Sequence, residues 1–312
     1  MGADIVMILE NMHHLGYKAV GQKEFHNIEQ VRQSFRAIGT FHAITYAMTK
    51  LGDDKVDWAK EYPVLKDYIH ELAEPFATYH EAMNTHYLKL LGDILAEKDD
   101  EIVSKNVERF CDPKTLAKLT ALTPKIFEIL RKTRSPEPRP HTLLCHGDFH
   151  MWNVAFKGRE YETKLFDFQI LCPGPGVTDL LYYLAQCTTP QTRKERLDMM
   201  LRFYTSAFED TATALGLDEE SRNLFTLEAV KKQYRECSAF LYVFGLHYYT
   251  IRMVEDKAKF ATTAGMTESR EVVRTLDACG KGTWEVFRNV MDLVNEIEEL
   301  GTIEVMERLA TS

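Results

Sequence analysis

The sequence predicts an α+β fold, mainly helical with one short β-hairpin, and three observations predict it. Apolar residues recur at three- and four-residue steps through most of the chain, the signature of helices that bury one face. Between residues 142 and 168 this period gives way to short apolar or alternating runs, which suit strands. The segment SPEPRP, Ser135 to Pro140, separates the two regimes, because its three prolines cannot continue a helix.

Taken in order, Ile5, Val6, Ile8 and Leu9 form an apolar run ending at polar Glu10 and Asn11, which reads as one buried strand. From Asn27 onward, Ile28, Val31, Phe35, Ile38, Phe41, Thr45 and Met48 keep helical spacing until Gly52 stops it. Residues 74–98 and 101–134 repeat the pattern, with Gly92 and Pro113 as interruptions. Strands are expected at 142–145, 154–156 and 164–168, the last two joined by the turn-like KGREYE. After Pro173, Gly174, Pro175 and Gly176 the chain returns to helix from Thr178 and closes in an acidic stretch, 296–307, read as a solvated helix face. Tyr234, Phe240, Tyr242, Phe244, Tyr248 and Tyr249 sit at helical spacing and read as core, with a substrate-pocket wall as the other reading.

Composition narrows the function. The chain has 312 residues, 45% of them apolar, enough to bury a sizeable core. A balance of 38 Lys and Arg against 47 Asp and Glu leaves a charge of -9, which repels a phosphate backbone and argues against a nucleic-acid partner. The longest apolar run, near residues 239–251, is below membrane-spanning length and holds His247, so a soluble, cytoplasmic protein with no membrane partner is expected. Six cysteines without any CxxC pair read as reduced thiols.

One constellation carries chemistry. Asp148 stands two residues after His146, Asn153 follows Asp148 by five, and Asp167 lies fourteen further on, in Asp167-Phe168-Gln169. These offsets match the kinase pattern H-x-D-x-x-x-x-N followed by a hairpin and D-F-x. Phosphoryl transfer needs a carboxylate near the attacking hydroxyl and further oxygen ligands that hold Mg²⁺ against the nucleotide phosphates. A loop between two strands places Asp148 and Asn153 on one surface, and the hairpin returns Asp167 beside them.

The segments HGDFHMWN, KLFDFQ and GPGVTDLLYYL resemble the ecdysteroid-kinase-like, or CHK-kinase-like, family, in the choline and aminoglycoside kinase group of the protein-kinase-like fold. The resemblance implies the large lobe of that fold and an ATP- and Mg²⁺-dependent transfer to a hydroxyl of a small molecule, a steroid among the candidates. It also implies that Asp148 is the catalytic base, that Asn153 and Asp167 ligate Mg²⁺, and that Asp179 braces the catalytic loop. His146 opens that loop and is expected to order it through hydrogen bonds. MILENM, Met7 to Met12, is similar to the family's hinge strand, which makes Leu9, Glu10, Asn11 and Met12 the expected adenine contacts, although Asn11 and Met12 stand where the family usually has Asp and Leu. On this alignment residues 1–12 are the remnant of the hinge strand, 13–312 are the large lobe, and the small lobe is expected to be largely missing.

Two other readings stay open. Without a small lobe, the chain would be a truncated or pseudokinase form whose loop residues are inherited rather than used. Alternatively, His146, Asp148 and His150 alternate on one segment and would suit a zinc hydrolase, although His13, His14 and His42 stand apart from them. A protein substrate is disfavoured, because no A-P-E tripeptide follows Asp167 and only eleven residues separate it from Asp179.

Overall fold

The computed structural model describes residues 11–21, 24–52, 55–61, 73–134 and 139–312. The strand expected at Ile5 to Leu9, together with the expected contacts Leu9 and Glu10, lies outside the described residues. Asn11 and Met12 are described, and they open a turn instead of extending a strand: the Asn11 carboxamide accepts from the His13 N–H, and the Tyr17 N–H donates to the Met12 carbonyl at 3.1 Å. Lys18 then pairs with Phe156 through two backbone hydrogen bonds of 2.9 Å.

Helix α1, Ile28–Lys50, follows the predicted apolar stripe. Its start is fixed by Asn27 and Gln30, whose side chains each accept from the other's backbone N–H, satisfying donors that the first turn leaves unpaired. Helix α2, Ala73–Ala96, runs through Gly92 without a break. Pro113 opens a helix and does not merely interrupt one: α3, Pro113–Leu122, begins at it, where no N–H is needed, and Asp112 caps the Lys114 N–H. Helix α4, Ile126–Thr133, follows.

The strands form two small antiparallel pairs. Strand β2, Val154–Lys157, pairs with β3, Glu162–Leu165, as the expected hairpin. The expected third run is shifted, however: β3 ends at Leu165, because Asp167 adopts φ 65°, which no strand residue can. Strand β1, Thr142–Cys145, pairs with a strand that the sequence hid, β4, Cys172–Pro175, in the register Thr142 to Pro175 and Cys145 to Cys172. Pro173 and Pro175 mislead because they normally end strands, but a two-stranded ladder has an open edge where a missing N–H costs nothing.

The later helices of ten residues or more are α5, Val177–Cys187; α6, Pro190–Ala214; α7, Leu227–Glu236; α8, Ala239–Met253; α9, Ser269–Ala278; α10, Lys281–Glu299; and α11, Thr302–Thr311. Helix α8 packs on α5 and α10, and α1 packs along α6. At Gly39 the α1–α6 approach is so close that a Cβ would stand 2.8 Å from the Tyr204 carbonyl. The fully buried Arg193 guanidinium ties α6 to its neighbours, donating to Glu296 on α10, to the Leu184 and Thr188 carbonyls, and to the Tyr249 hydroxyl on α8. The acidic C-terminal stretch is only half solvated, since Ile303 and Met306 are buried in the core. All six cysteines are buried, and none is joined in a disulfide. Among the described residues, no helix is long and apolar enough to cross a membrane.

Candidate active site

Asp179 lies in the first turn of α5 and is 2% exposed. A buried carboxylate must be fully hydrogen-bonded, and this one accepts from the His146 N–H at 2.7 Å, the Gly147 N–H at 3.0 Å and His42 Nε2 at 3.0 Å. Burial disfavours its charge, yet the bond from His42 and the Arg134 guanidinium help to hold its carboxyl below the ordinary value. The loop leaving β1 is thereby pinned to α5. Gly147 makes the bend possible: its φ is +84°, and a Cβ there would stand 2.0 Å from the Ile170 carbonyl.

His146 is fully buried, with both ring nitrogens engaged by backbone. Nδ1 accepts from the Asp148 N–H at 3.3 Å, so Nε2 carries the proton that it donates to the Phe166 carbonyl at 3.0 Å. Burial lowers its pKa and keeps it neutral, as that pattern requires. The ring links the loop to the end of the hairpin, one residue before Asp167, and neither nitrogen is left to serve a zinc ion.

Asp148 projects from the loop with its side chain 18% exposed. Its Oδ2 accepts from Asn153 Nδ2 at 3.1 Å and lies 3.3 Å from His150 Nε2. Burial pushes its pKa up, but the bond from His150 and the other donors outweigh it, so the carboxyl stays ionised below its usual range. His150 in turn caps a short 3₁₀ turn, Met151–Asn153, by accepting from the Trp152 N–H at 3.1 Å.

Asn153 Nδ2 also donates to the Asp148 carbonyl at 2.9 Å, which commits the amide nitrogen and leaves the amide oxygen as its available ligand. The Phe166 N–H donates to the Asn153 carbonyl at 3.2 Å, and this bond brings the Asp167 backbone next to Asn153. The Asp167 carboxylate is exposed, and the Gln169 amide lies 3.4 Å from it. Left-handed φ is rare outside glycine, and strained conformations concentrate at functional sites. A carboxylate and an amide oxygen are the donors a hard cation such as Mg²⁺ prefers, and the Phe166–Asn153 bond brings the chain segments that carry them together. The residues fit such an ion.

Two cavities flank this hairpin end. One, of about 450 Å³, is lined by Asp148, Gln169, Ile170, Tyr182, Phe240 and Phe244. The other, of about 440 Å³, is lined by Met12, His13, Lys18, Ala155 and Phe166. Met12 is therefore placed at a cavity beside the hairpin, whereas Asn11 is exposed in the turn before it. The aromatic segment fits both readings: Tyr234, Phe240, Tyr242 and Phe244 are all buried in the core, and of these Phe240 and Phe244 also line the Asp148 cavity.

Two neighbours of the site, His42 and Tyr182, escaped the sequence reading. His42, taken as isolated, occupies a buried position on the α1 stripe between Ile38 and Thr45, and a polar side chain in that register was the available signal. Tyr182 follows Asp179 by three residues on α5, so both face the loop. Its hydroxyl meets that of Tyr248, from α8, at 2.7 Å.

A model of the ecdysteroid kinase-like family matches residues 2–217. Comparison with curated proteins and with solved structures gives no match.

Proposed function

The chain belongs to the ecdysteroid kinase-like family, and from that premise we propose that it is a small-molecule kinase transferring the γ-phosphoryl group of ATP to a hydroxyl. The observation that carries this reading is the placement of one hairpin end between two cavities. Phe166 borders one cavity, Gln169 borders the other, and Asp167 lies between them in the chain. Asp148 opens into the second cavity, which suits an acceptor, and Met12, Ala155 and Phe166 offer the first an apolar bed for adenine.

In this mechanism the acceptor oxygen bonds to the γ-phosphorus, the bond to the bridging oxygen breaks, ADP leaves, and Asp148 receives the hydroxyl proton. Asp148 is ionised and oriented for that role by Asn153 and His150. Asn153 and Asp167 would hold Mg²⁺, which when bound neutralises charge on the phosphates. His146 and Asp179 are positioning residues: one joins the loop to the hairpin, the other anchors two successive loop N–H groups to α5. Aromatic walls at Phe240, Phe244 and Tyr182 favour an acceptor with an apolar body.

The test is transfer from γ-labelled ATP to a panel of hydroxylated metabolites, steroids included, with and without Mg²⁺. Labelled product that requires Mg²⁺ and disappears in Asp148→Asn supports the reading. Absence of metal-dependent ATP binding together with absence of product would overturn it.

A further inference from the structure

Resting on that reading, we infer that Trp152 binds the acceptor outside the cavity, and that the acceptor is an alcohol whose ring-bearing body runs from the Asp148 cavity out to the surface of the catalytic loop. Trp152 stands between the proposed base and Asn153 in the chain, and 36% of it is exposed. An indole carries a large apolar area, and leaving it in water forgoes the stabilisation that burial would give. Trp284, by contrast, is 2% exposed.

A single exposed ring needs no function. This one ends a continuous run of rings that begins inside the cavity. There Phe240 lies 5.4 Å from Phe244, and Phe244 meets Tyr182 edge-on at 4.4 Å. Tyr248 carries the run outward, its ring 5.9 Å from Tyr182 and 6.2 Å from Trp152. Phe240, Phe244 and Tyr248 recur every four residues on α8, so they share one face of that helix. The wall therefore leads from buried rings to an open indole beside the base.

The turn fixes where the indole stands. The Trp152 N–H donates to His150 Nδ1 at 3.1 Å, the Asn153 N–H donates to the His150 carbonyl at 2.9 Å, and the His150 ring meets the indole edge-on at 5.4 Å. His150 Nε2 lies 3.3 Å from Asp148 Oδ2, so one imidazole relates the indole to the carboxylate that would receive the hydroxyl proton. An acceptor with its hydroxyl at Asp148 and its body on Phe240 and Phe244 meets the indole as the next apolar surface along the run. A flat ring suits that surface, because stacked and edge-on aromatic contacts add to what area alone provides. A compact alcohol would stay within the cavity and leave Trp152 in water.

The test compares the full chain with Trp152→Ala and Trp152→Phe. The cap uses the Trp152 backbone N–H, which both substitutions keep. Met199→Ala is the control, removing an apolar side chain of similar exposure, 38%, from α6. The probes are benzyl alcohol, with one ring, and biphenyl-4-methanol, with two. Their dissociation constants are measured by calorimetry with Mg²⁺·ADP present, and indole emission is recorded in parallel.

Wild type should prefer biphenyl-4-methanol, and its emission should move to the blue as the second ring covers Trp152. The preference, taken as the ratio of the two dissociation constants so that any general loss of folded protein cancels, should fall about 10-fold in Trp152→Ala and by less in Trp152→Phe. The emission shift should vanish in both, and Met199→Ala should keep shift and preference alike. A preference that survives Trp152→Ala, or an emission shift that persists without Trp152, overturns the inference and leaves the kinase reading in place. Binding of neither alcohol by wild type overturns it as well. Binding that depends on Trp152, with no metal-dependent ATP binding and no transfer to any hydroxylated metabolite, sinks the kinase reading and leaves Trp152 standing as a ring-binding residue.

Discussion

Asp148→Asn keeps the size of the side chain and removes the proton acceptor. Loss of general-base assistance costs roughly 100- to 10,000-fold, so single-turnover transfer should fall by that order while circular dichroism is unchanged. Near-equal rates would take Asp148 out of the mechanism. Asp179→Asn acts on the fold, since its amide puts a donor where the His146 and Gly147 N–H groups need an acceptor. The cost should be on the order of 3 kcal/mol at pH 7 in urea unfolding. Its pH dependence has a definite sign: the carboxyl pKa is lower in the folded state, so the unfolded chain binds more protons as pH falls through the ordinary value of 3.8 and below. The stability that Asp179 contributes is present above that range and lost beneath it. The gap between wild type and Asp179→Asn should therefore narrow between pH 5 and pH 3, and a gap constant with pH would contradict this assignment. Asp148, Asn153 and Asp167 were legible because their spacing lies within one loop and one hairpin. His42 was not, because its partner Asp179 is 137 residues away and no local pattern marks such a contact.

Helices were readable wherever one face is buried, and α1 is the clearest case because its stripe and its capping residues agree. Strand β4 was hidden by its two prolines, and β3 was extended too far because Phe166 and Phe168 continue an apolar alternation that the backbone abandons at Asp167. Helix α8 shows a further limit. Residues facing a cavity are as apolar as residues facing the core, so periodicity alone does not separate Phe244 from Tyr242. The α1–α6 contact offers a test at this scale, because both helices lead to Asp179, one through His42 and the other through Tyr204, whose hydroxyl lies 3.1 Å from His42 Nδ1. Gly39→Leu would force them apart, at about 1–3 kcal/mol of overpacking. Gly265→Ala, where nothing lies within 4 Å of the new Cβ, should stay within about 0.5 kcal/mol. Equal urea midpoints for the two variants would show that the helices can separate freely.

At the scale of the whole molecule, the family match ends at residue 217, yet part of the wall of the Asp148 cavity, Phe240 and Phe244, comes from beyond it. The family-matched part carries the candidate chemistry, and the later helices shape the space in front of it. Binding of nucleotide to such an arrangement should stabilise the fold, because a ligand that prefers the native state adds stability by mass action. At a hundred times its dissociation constant the gain is about 2.7 kcal/mol. A thermal melt with Mg²⁺ and ATP should therefore shift upward by several degrees, and EDTA should remove most of the shift, since the phosphates would lose the cation shared with Asn153 and Asp167. Asp167→Ala should lose the metal-dependent part of the shift while melting near the wild-type temperature without nucleotide, because that carboxylate is exposed and makes one weak contact. His150→Ala should keep the metal dependence even if it unfolds earlier, since its imidazole caps the Met151–Asn153 turn and contacts Asp148. An ATP shift that survives EDTA, or one that His150→Ala abolishes and Asp167→Ala preserves, would remove Mg²⁺ from Asn153 and Asp167 and with it the placement of the phosphates between the two cavities.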